Sequence, residues 1–237
     1  MKKAIIIGAS TGIGREVAIQ LAQMGYEIGL VARRKELLLQ LQTEIPGKSH
    51  IMPMDISEPG SAREKLTALI GMIGKVDMII LNAGIGIPNP TWIDEQKIIQ
   101  TNVNGFAALA NYSFDYFKKL GSGCIAGVSS IAGLRGGRLA TAYCASKAFM
   151  SNYMEGLRCR AAKEGLNISV TDIIPGFVET PMTANLSYKF WVASAKKAAR
   201  QMISAILQRK KKVYVTRRWA IVAALMKIVP VWLLSKI

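Results

Sequence analysis

The chain has 237 residues, of which 51% are hydrophobic, and its 31 basic and 15 acidic side chains give a formal net charge of +16. This length suits one large α/β core, and no linker or repeat divides it, so fibrous and disordered classes are excluded. Three unclustered cysteines argue against a disulfide framework and against a metal site, and the apolar run after Lys3 is too short for a signal peptide. We therefore expect a cytoplasmic protein.

Apolar, β-branched runs alternate with helical periodicities along the chain. The runs predict strands at residues 4–7, 27–32, 49–54, 77–82, 123–129, 167–174 and 212–215. The periodicities predict helices at residues 14–24, 35–43, 62–73, 101–120 and 142–163. Near-continuous apolar strands separated by helices favour a parallel sheet with helices on both faces.

A glycine-rich turn follows the first predicted strand. Gly8, Gly12 and Gly14 lie between this strand and the first predicted helix, with Ser10, Thr11 and Ile13 between them. Strand, glycine turn and helix are the context of a dinucleotide-binding loop, in which the backbone approaches a pyrophosphate at the positive helix N-terminus. The spacing departs from Gly-x-Gly-x-x-Gly, and three ordinary turn glycines are the alternative interpretation.

Tyr143 and Lys147 are four residues apart on a predicted helix, and Tyr143 lies thirteen residues after Ser130. On one helical face, the ammonium of Lys147 would favour the phenolate of Tyr143 and lower its pKa. The hydroxyl of Ser130 could then bind the same substrate oxygen. The three side chains together predict a device for giving a proton to a carbonyl; a surface tyrosine beside a solvated lysine is the alternative.

These segments together resemble the short-chain dehydrogenase/reductase family over nearly the whole chain. The family's motifs appear in its order: the glycine loop, Asn82-Ala83-Gly84, Asn102, Ser130, Tyr143 with Lys147, and Pro175-Gly176 followed by Val178 and Thr180. The resemblance implies a doubly wound parallel β-sheet, Rossmann-like, in a three-layer αβα arrangement with a C-terminal apolar and basic helical extension. We expect one oxidoreductase domain at residues 1–218, a lid within residues 181–200, and a C-terminal apolar helix at residues 219–237.

The same resemblance implies roles for single residues in binding a nicotinamide cofactor. Asp55 is expected to hold the adenine amino group and Asn82 to line the central loop with Ala83 and Gly84. Thr180 is expected to contact the nicotinamide carboxamide beside Pro175, Gly176 and Val178. Lys147 would also bind the nicotinamide ribose, and Asn102 would complete a water relay to Lys147. In isolation, Asp55 could instead cap a helix and Asn102 could be a polar packing group.

Cofactor choice is predicted from the end of the second strand. NAD-specific sites place an acid there, whereas a phosphorylated ribose favours arginine. Here Ala32 is followed by Arg33, Arg34 and Lys35 without an acid, which favours NADP(H) over NAD(H). The alternative is that these cations only begin the next helix.

The basic charge is concentrated at the C-terminus. Twelve of the basic residues follow Glu179, which is the last acidic residue, so residues 1–180 carry only +4. An apolar run from Trp219 to Leu234 is interrupted by Lys227 and Pro230 and is short for a membrane span. Residues 209–237 could lie on an anionic membrane, with Trp219 and Trp232 at headgroup level. A cap on the cleft or an oligomer contact is the alternative, and nucleic-acid binding is not expected because interleaved aromatics are lacking.

The expected function is interconversion of a ketone and a secondary alcohol by hydride transfer with NADP(H). An apolar lid would favour a lipophilic, lipid-like substrate, through Met182, Leu186, Phe190 and Trp191. We also expect a homo-oligomer, either a dimer or a tetramer. The alternative is an NADP(H)-binding sensor or scaffold that turns over little and acts through its basic C-terminal section.

Overall fold

The computed structural model describes residues 1–184 and 189–234. Seven of its strands form one parallel sheet in the order β3-β2-β1-β4-β5-β6-β9. These strands are β1 Lys3–Ile7, β2 Glu27–Ala32, β3 Ser49–Pro53, β4 Met78–Leu81, β5 Ser122–Val128, β6 Asn167–Pro175 and β9 Lys212–Val215. Two short strands, β7 Val178–Glu179 and β8 Ala193–Ser194, pair with each other beside the sheet.

The helices connect these strands in alternation. They are α1 Gly12–Gln23, α2 Lys35–Glu44, α3 Pro59–Ile73, α4 Trp92–Ile99, α5 Phe106–Leu120, α6 Thr141–Lys163, α7 Ala195–Leu207, α8 Trp219–Ile228 and α9 Val231–Leu234. A π-helix, Gln100–Gly105, joins α4 to α5. Within the described residues, no helix is both long and apolar enough to cross a bilayer.

Helices cover both faces of the sheet because its strands are apolar on both sides. Ala4 and Ile6 of β1 pack in one buried cluster with residues of α1 and α7. Ile5 and Ile7, which point the other way, pack in a second cluster with α3 and α5. Burying each such isoleucine stabilises the fold by roughly 1.5–3 kcal/mol. The predicted doubly wound, three-layer α/β fold is therefore confirmed.

The strand order creates a crevice at the carboxyl edge of the sheet. The chain moves outward from β1 to β3 and then crosses back to β4 on the other side of β1. In the register, Ile7 of β1 lies opposite Val31 of β2 and Leu81 of β4. The residues that follow these strands therefore meet at one edge, which is where ligands bind in open α/β sheets.

The structure differs from the sequence prediction in three places. The helix predicted at residues 101–120 starts as a π-helix and is preceded by α4, which begins at a capping box formed by Thr91 and Asp94. The last six residues of the predicted lid, 195–200, belong to α7, where Ala198 and Ala199 are buried. The predicted C-terminal helix is divided into α8 and α9, because Pro230 cannot continue α8.

Candidate active site

A cavity of about 250 Å³ opens at the carboxyl edge of the sheet. Most of the residues predicted to bind a cofactor or to act in catalysis line it: Gly8, Ser10, Thr11, Gly12, Ile13, Arg33, Arg34, Asp55, Asn82, Ala83, Gly84, Ser130, Tyr143, Lys147, Pro175, Gly176, Val178 and Thr180. Gly14 and Asn102 are buried behind this lining. The fold thus brings together segments that are far apart in the chain.

The glycine loop is shaped for close approach of the backbone. Gly8 has φ +95°, and a Cβ there would lie 2.6 Å from the backbone nitrogen of Ala83, so only glycine fits. The side chain of Asn82 donates to the carbonyl oxygen of Gly8 at 2.9 Å and fixes the loop. Thr11, the N-cap of α1, makes no side-chain cap bond, and the first turn of α1 has no acidic residue. The helix N-terminus therefore presents partial positive charge to the cavity.

Two arginines follow β2 at the rim of the cavity. Nη2 of Arg34 donates to the hydroxyl oxygens of Ser10 and Thr11, at 3.2 and 3.5 Å. Arg33 lies 3.9 Å from one carboxylate oxygen of Asp55, and the other oxygen accepts hydrogen bonds from the backbone and side chain of Ser57. The arrangement gathers cationic and hydroxyl donors where a ribose or a phosphate could bind.

The predicted proton-transfer residues converge from β5 and α6. Ser130 follows β5, and its hydroxyl accepts from the amide of Ala132 at 3.1 Å. Tyr143 and Lys147 lie one turn apart on α6, and Nζ of Lys147 is 5.6 Å from the centroid of the Tyr143 ring. Lys147 is buried and donates to the carbonyl oxygen of Val128 at 3.0 Å. Three polar groups therefore face one cavity from two adjoining elements.

The pKa directions at this site differ from those that the sequence predicts. Burial raises the pKa of Tyr143 above 10.0, and a hydrogen bond with the hydroxyl of Ser130 only partly opposes this. Burial also lowers the pKa of Lys147 to about 8, against the opposing effect of Asp172. The prediction that the pKa of Tyr143 lies below its ordinary value is therefore wrong for the structure described, because the effect of burial is larger than that of neighbouring groups. Tyr143 stays protonated at neutral pH. Lys147 is the group of this pair whose pKa lies close to neutral pH.

Asn102 lies in the π-helix before α5 and is fully buried. Its side-chain amide donates to the carbonyl oxygen of Ile85 at 2.8 Å and to the hydroxyl of Ser146 at 3.0 Å, and its oxygen accepts from the amide of Ile85 at 2.9 Å. A Cβ on Gly84 would lie 3.2 Å from both the oxygen of Asn102 and Nζ of Lys147. Asn102 thus fixes the segment after β4 and adjoins the lysine; its part in a water relay stays a prediction.

Sequence reasoning missed a buried carboxylate beneath the site. One oxygen of Asp172, in β6, accepts from the hydroxyl of Ser129 at 2.6 Å. Its other oxygen is buried and has no hydrogen-bond partner among the described residues. Asp172 interacts electrostatically with Lys147. The signal in the sequence was an acid, which is the one charged residue in the strand predicted at residues 167–174.

The C-terminal segment packs beside the cavity. Trp219, at the start of α8, is buried against Gly176, where a Cβ would overlap the indole ring. Its ring also contacts those of Phe177 and Phe190, with centroids 5.7 and 4.9 Å apart. The expectation that Trp219 lies at a membrane surface is therefore wrong, because the tryptophan anchors α8 to the body of the protein. Leu186, predicted for the lid, lies outside the described residues.

Comparisons with known proteins agree with the fold. A family model described as short chain dehydrogenase matches residues 2–190. An uncharacterized oxidoreductase from Myxococcus xanthus is 34% identical over 194 residues, which cover 79% of this chain and 76% of the relative. A fatty acyl-CoA reductase from Acinetobacter baylyi is 30% identical over 223 residues, covering 90% of this chain and 75% of the relative.

Solved structures share the fold at lower sequence identity. A 3-ketoacyl-(acyl-carrier-protein) reductase from Brucella melitensis, crystallised in complex with NADH, superposes with a TM-score of 0.83 at 22% identity. The match covers 90% of this chain and 96% of that chain. With the family model matching most of its length, this chain belongs to the short-chain dehydrogenase/reductase family of oxidoreductases.

Proposed function

We propose that this protein is an NADP(H)-dependent oxidoreductase that interconverts a ketone and a secondary alcohol on a lipophilic substrate. One observation carries the proposal: Ser130, Tyr143 and Lys147 line the same cavity as the glycine loop and Arg34. Proton-transfer groups and a dinucleotide-binding loop in one cavity are what a reductase of this family requires.

The residues present suit a phosphorylated dinucleotide. The uncapped N-terminus of α1 offers backbone N–H groups to a pyrophosphate. Arg34, already bonded to the hydroxyls of Ser10 and Thr11, would hold a ribose phosphate, and Arg33 adds charge beside it. When bound, such a cofactor supplies or accepts a hydride.

The side chains of this protein would then manage the proton. Because its pKa is raised, Tyr143 carries its hydroxyl proton at neutral pH and can give it to a carbonyl oxygen. The hydroxyl of Ser130, hydrogen-bonded to Tyr143, can bind the same oxygen. The ammonium of Lys147, next to the tyrosine ring, favours the phenolate that remains after the transfer.

The apolar side chains of the segment after Thr180 support an apolar substrate. Met182 lines the cavity, and Phe190 and Trp191 of the following segment pack on each other with ring centroids 5.8 Å apart. Apolar side chains beside a binding site favour lipophilic ligands. A fatty acyl-CoA reductase among the relatives supports the same class of substrate.

The test is a panel of ketones of increasing hydrophobicity, with oxidation of NADPH and NADH followed by absorbance. We expect turnover that rises with substrate hydrophobicity and prefers NADPH severalfold. Arg34→Ala should raise the KM for NADPH roughly 10–100-fold, because a charge-assisted hydrogen bond is worth about 1.5–3 kcal/mol. Its KM for NADH should not change, and Arg200→Ala, an exposed control on α7 away from the cavity, should alter neither.

Equal use of NADH and NADPH by the unchanged protein would contradict the cofactor assignment. Tight NADPH binding without turnover of any ketone or alcohol would instead favour the sensor or scaffold alternative. Turnover confined to small polar ketones would overturn the substrate class and leave the reaction class intact.

A further inference from the structure

Nine of the ten residues of helix α8 are apolar, and the exception is Lys227. Trp219 and Ala223 on its inner side are buried. On its outer side, Ile221, Leu225 and Ile228 are 62, 56 and 79% exposed. Their spacing of four and three residues places them on one face. A helix with apolar residues on both its inner and its outer side normally has cover on both, and the described chain covers only the inner side.

The segment around Phe190 and Trp191 packs against Trp219, the first residue of α8. Phe190 and Trp191 are 51 and 43% exposed, and their rings lie 4.9 and 6.0 Å from that of Trp219. We call these residues together the C-terminal surface: Phe190, Trp191, Val192, Ile221, Leu225 and Ile228. Exposed apolar residues grouped around one helix in this way mark interaction sites.

The C-terminal surface adjoins the mouth of the cavity. Gly176 lines the cavity and packs directly under Trp219, the residue that begins α8. Met182 also lines the cavity and is itself half exposed. Whatever covers the C-terminal surface therefore lies next to the opening through which a substrate enters.

The charges around the C-terminal surface are basic. Arg217 and Arg218 are exposed and directly precede α8, and the guanidinium of Arg218 lies 5.2 Å from the centroid of the Trp191 ring. The side chain of Arg135 bonds the carbonyl oxygens of Met226 and Val229 at the end of the helix. No acidic residue follows Glu179 in the sequence, so this part of the chain offers nothing to neutralise the cations.

Apolar cover and negative charge together identify the partner. A second copy of the chain would bring the same cations against each other, and nucleic acid would leave the aliphatic side chains uncovered. An anionic bilayer provides hydrocarbon for the aliphatic face and phosphate for the arginines. We propose that the C-terminal surface docks on an anionic phospholipid membrane. A lipophilic substrate would then pass from the bilayer into the cavity, and this route rests on the proposed function.

The test measures binding of the full-length protein to vesicles by co-sedimentation. We expect binding to vesicles of phosphatidylcholine with phosphatidylglycerol, weak binding to phosphatidylcholine alone, and loss of binding at high salt. A double variant, Ile221→Ser with Leu225→Ser, should bind at least about tenfold more weakly, since each side chain would lose the burial that the membrane offers. Leu39→Ser, an exposed leucine on α2, is the matched control and should bind like the unchanged protein.

The charges are tested separately by replacing Arg217 and Arg218 with glutamine. Each cation near an anionic surface accounts for about a fivefold change in partition, so replacing both arginines should weaken binding roughly 25-fold.

Vesicle binding that the serine variant retains in full would overturn the proposal. So would a serine variant that dissociates an oligomer in analytical ultracentrifugation without changing vesicle binding, because a second copy would then cover the face.

This outcome is independent of the catalytic assignment. Vesicle binding that depends on the C-terminal surface supports docking even if no ketone is turned over. Turnover of hydrophobic ketones in detergent by a protein that ignores anionic vesicles supports the proposed function and overturns docking.

Discussion

Replacing Lys147 with methionine should stabilise the cofactor-free protein at neutral pH. Burial lowers the pKa of Lys147 from 10.5 to about 8, so keeping it protonated in the fold costs about 3 kcal/mol at pH ~7, at ~1.4 kcal/mol per pKa unit. Methionine removes this cost but also the hydrogen bond to the carbonyl oxygen of Val128, worth about 1 kcal/mol. The net gain is about 2 kcal/mol, or ~4–8 °C in Tm for a chain of this size.

The sign of the pH dependence separates this effect from ordinary repacking. Because the folded pKa of Lys147 is lower than the unfolded one, the unfolded state binds more protons between about pH 8 and 10.5. The contribution of Lys147 to stability therefore rises with pH, by about 1 kcal/mol between pH ~7 and ~9, and the advantage of the methionine variant shrinks equally. The pKa of Tyr143 and that of Tyr116 are raised, so these phenols stay protonated at the higher pH.

Urea unfolding at the two pH values measures the difference. Lys163→Met, at the exposed end of the same helix, is the control and should change the free energy of unfolding by less than about 0.5 kcal/mol at either pH. A Lys147 variant that is no more stable at neutral pH, or whose advantage is independent of pH, would refute the argument from desolvation. A stable but inactive variant is the expected result, since functional groups are often kept at the expense of stability.

Three further predictions concern the proton donor, the buried carboxylate and the C-terminal anchor. Tyr143→Phe should lower kcat by at least about 100-fold while NADPH binding stays within a few-fold, measured by fluorescence titration; substantial turnover would contradict the assigned donor. Asp172→Asn should move the alkaline limb of the pH–rate profile to lower pH, because this carboxylate raises the pKa of the buried lysine; an unmoved limb would rule out the coupling. Gly176→Ala should lower stability by about 1–3 kcal/mol and expose Trp219, seen as red-shifted fluorescence, because the added methyl group overlaps the indole. Gly156→Ala, at an open helical position, is its control and should not destabilise the protein.

Local sequence predicted the elements of the fold well. Local sequence determines where β-branched runs form strands and where the glycine turn follows β1. The positions of these elements therefore follow from the sequence within a few residues. The four-residue spacing of Tyr143 and Lys147 fixes a shared helical face for the same reason. The start of α5 was missed because a π-helix has no simple periodicity in the sequence.

The tertiary structure decided which groups the solvent reaches, and through that their chemistry. Packing around α6 desolvates Tyr143 and Lys147 and sets the direction of both pKa shifts. Long-range pairing of β5 with β6 brings Asp172 within reach of the lysine, and the docking of Trp219 on Gly176 joins α8 to the cavity. Burial and charge coupling depend on residues far apart in sequence, which meet only when the sheet and its covering helices have assembled.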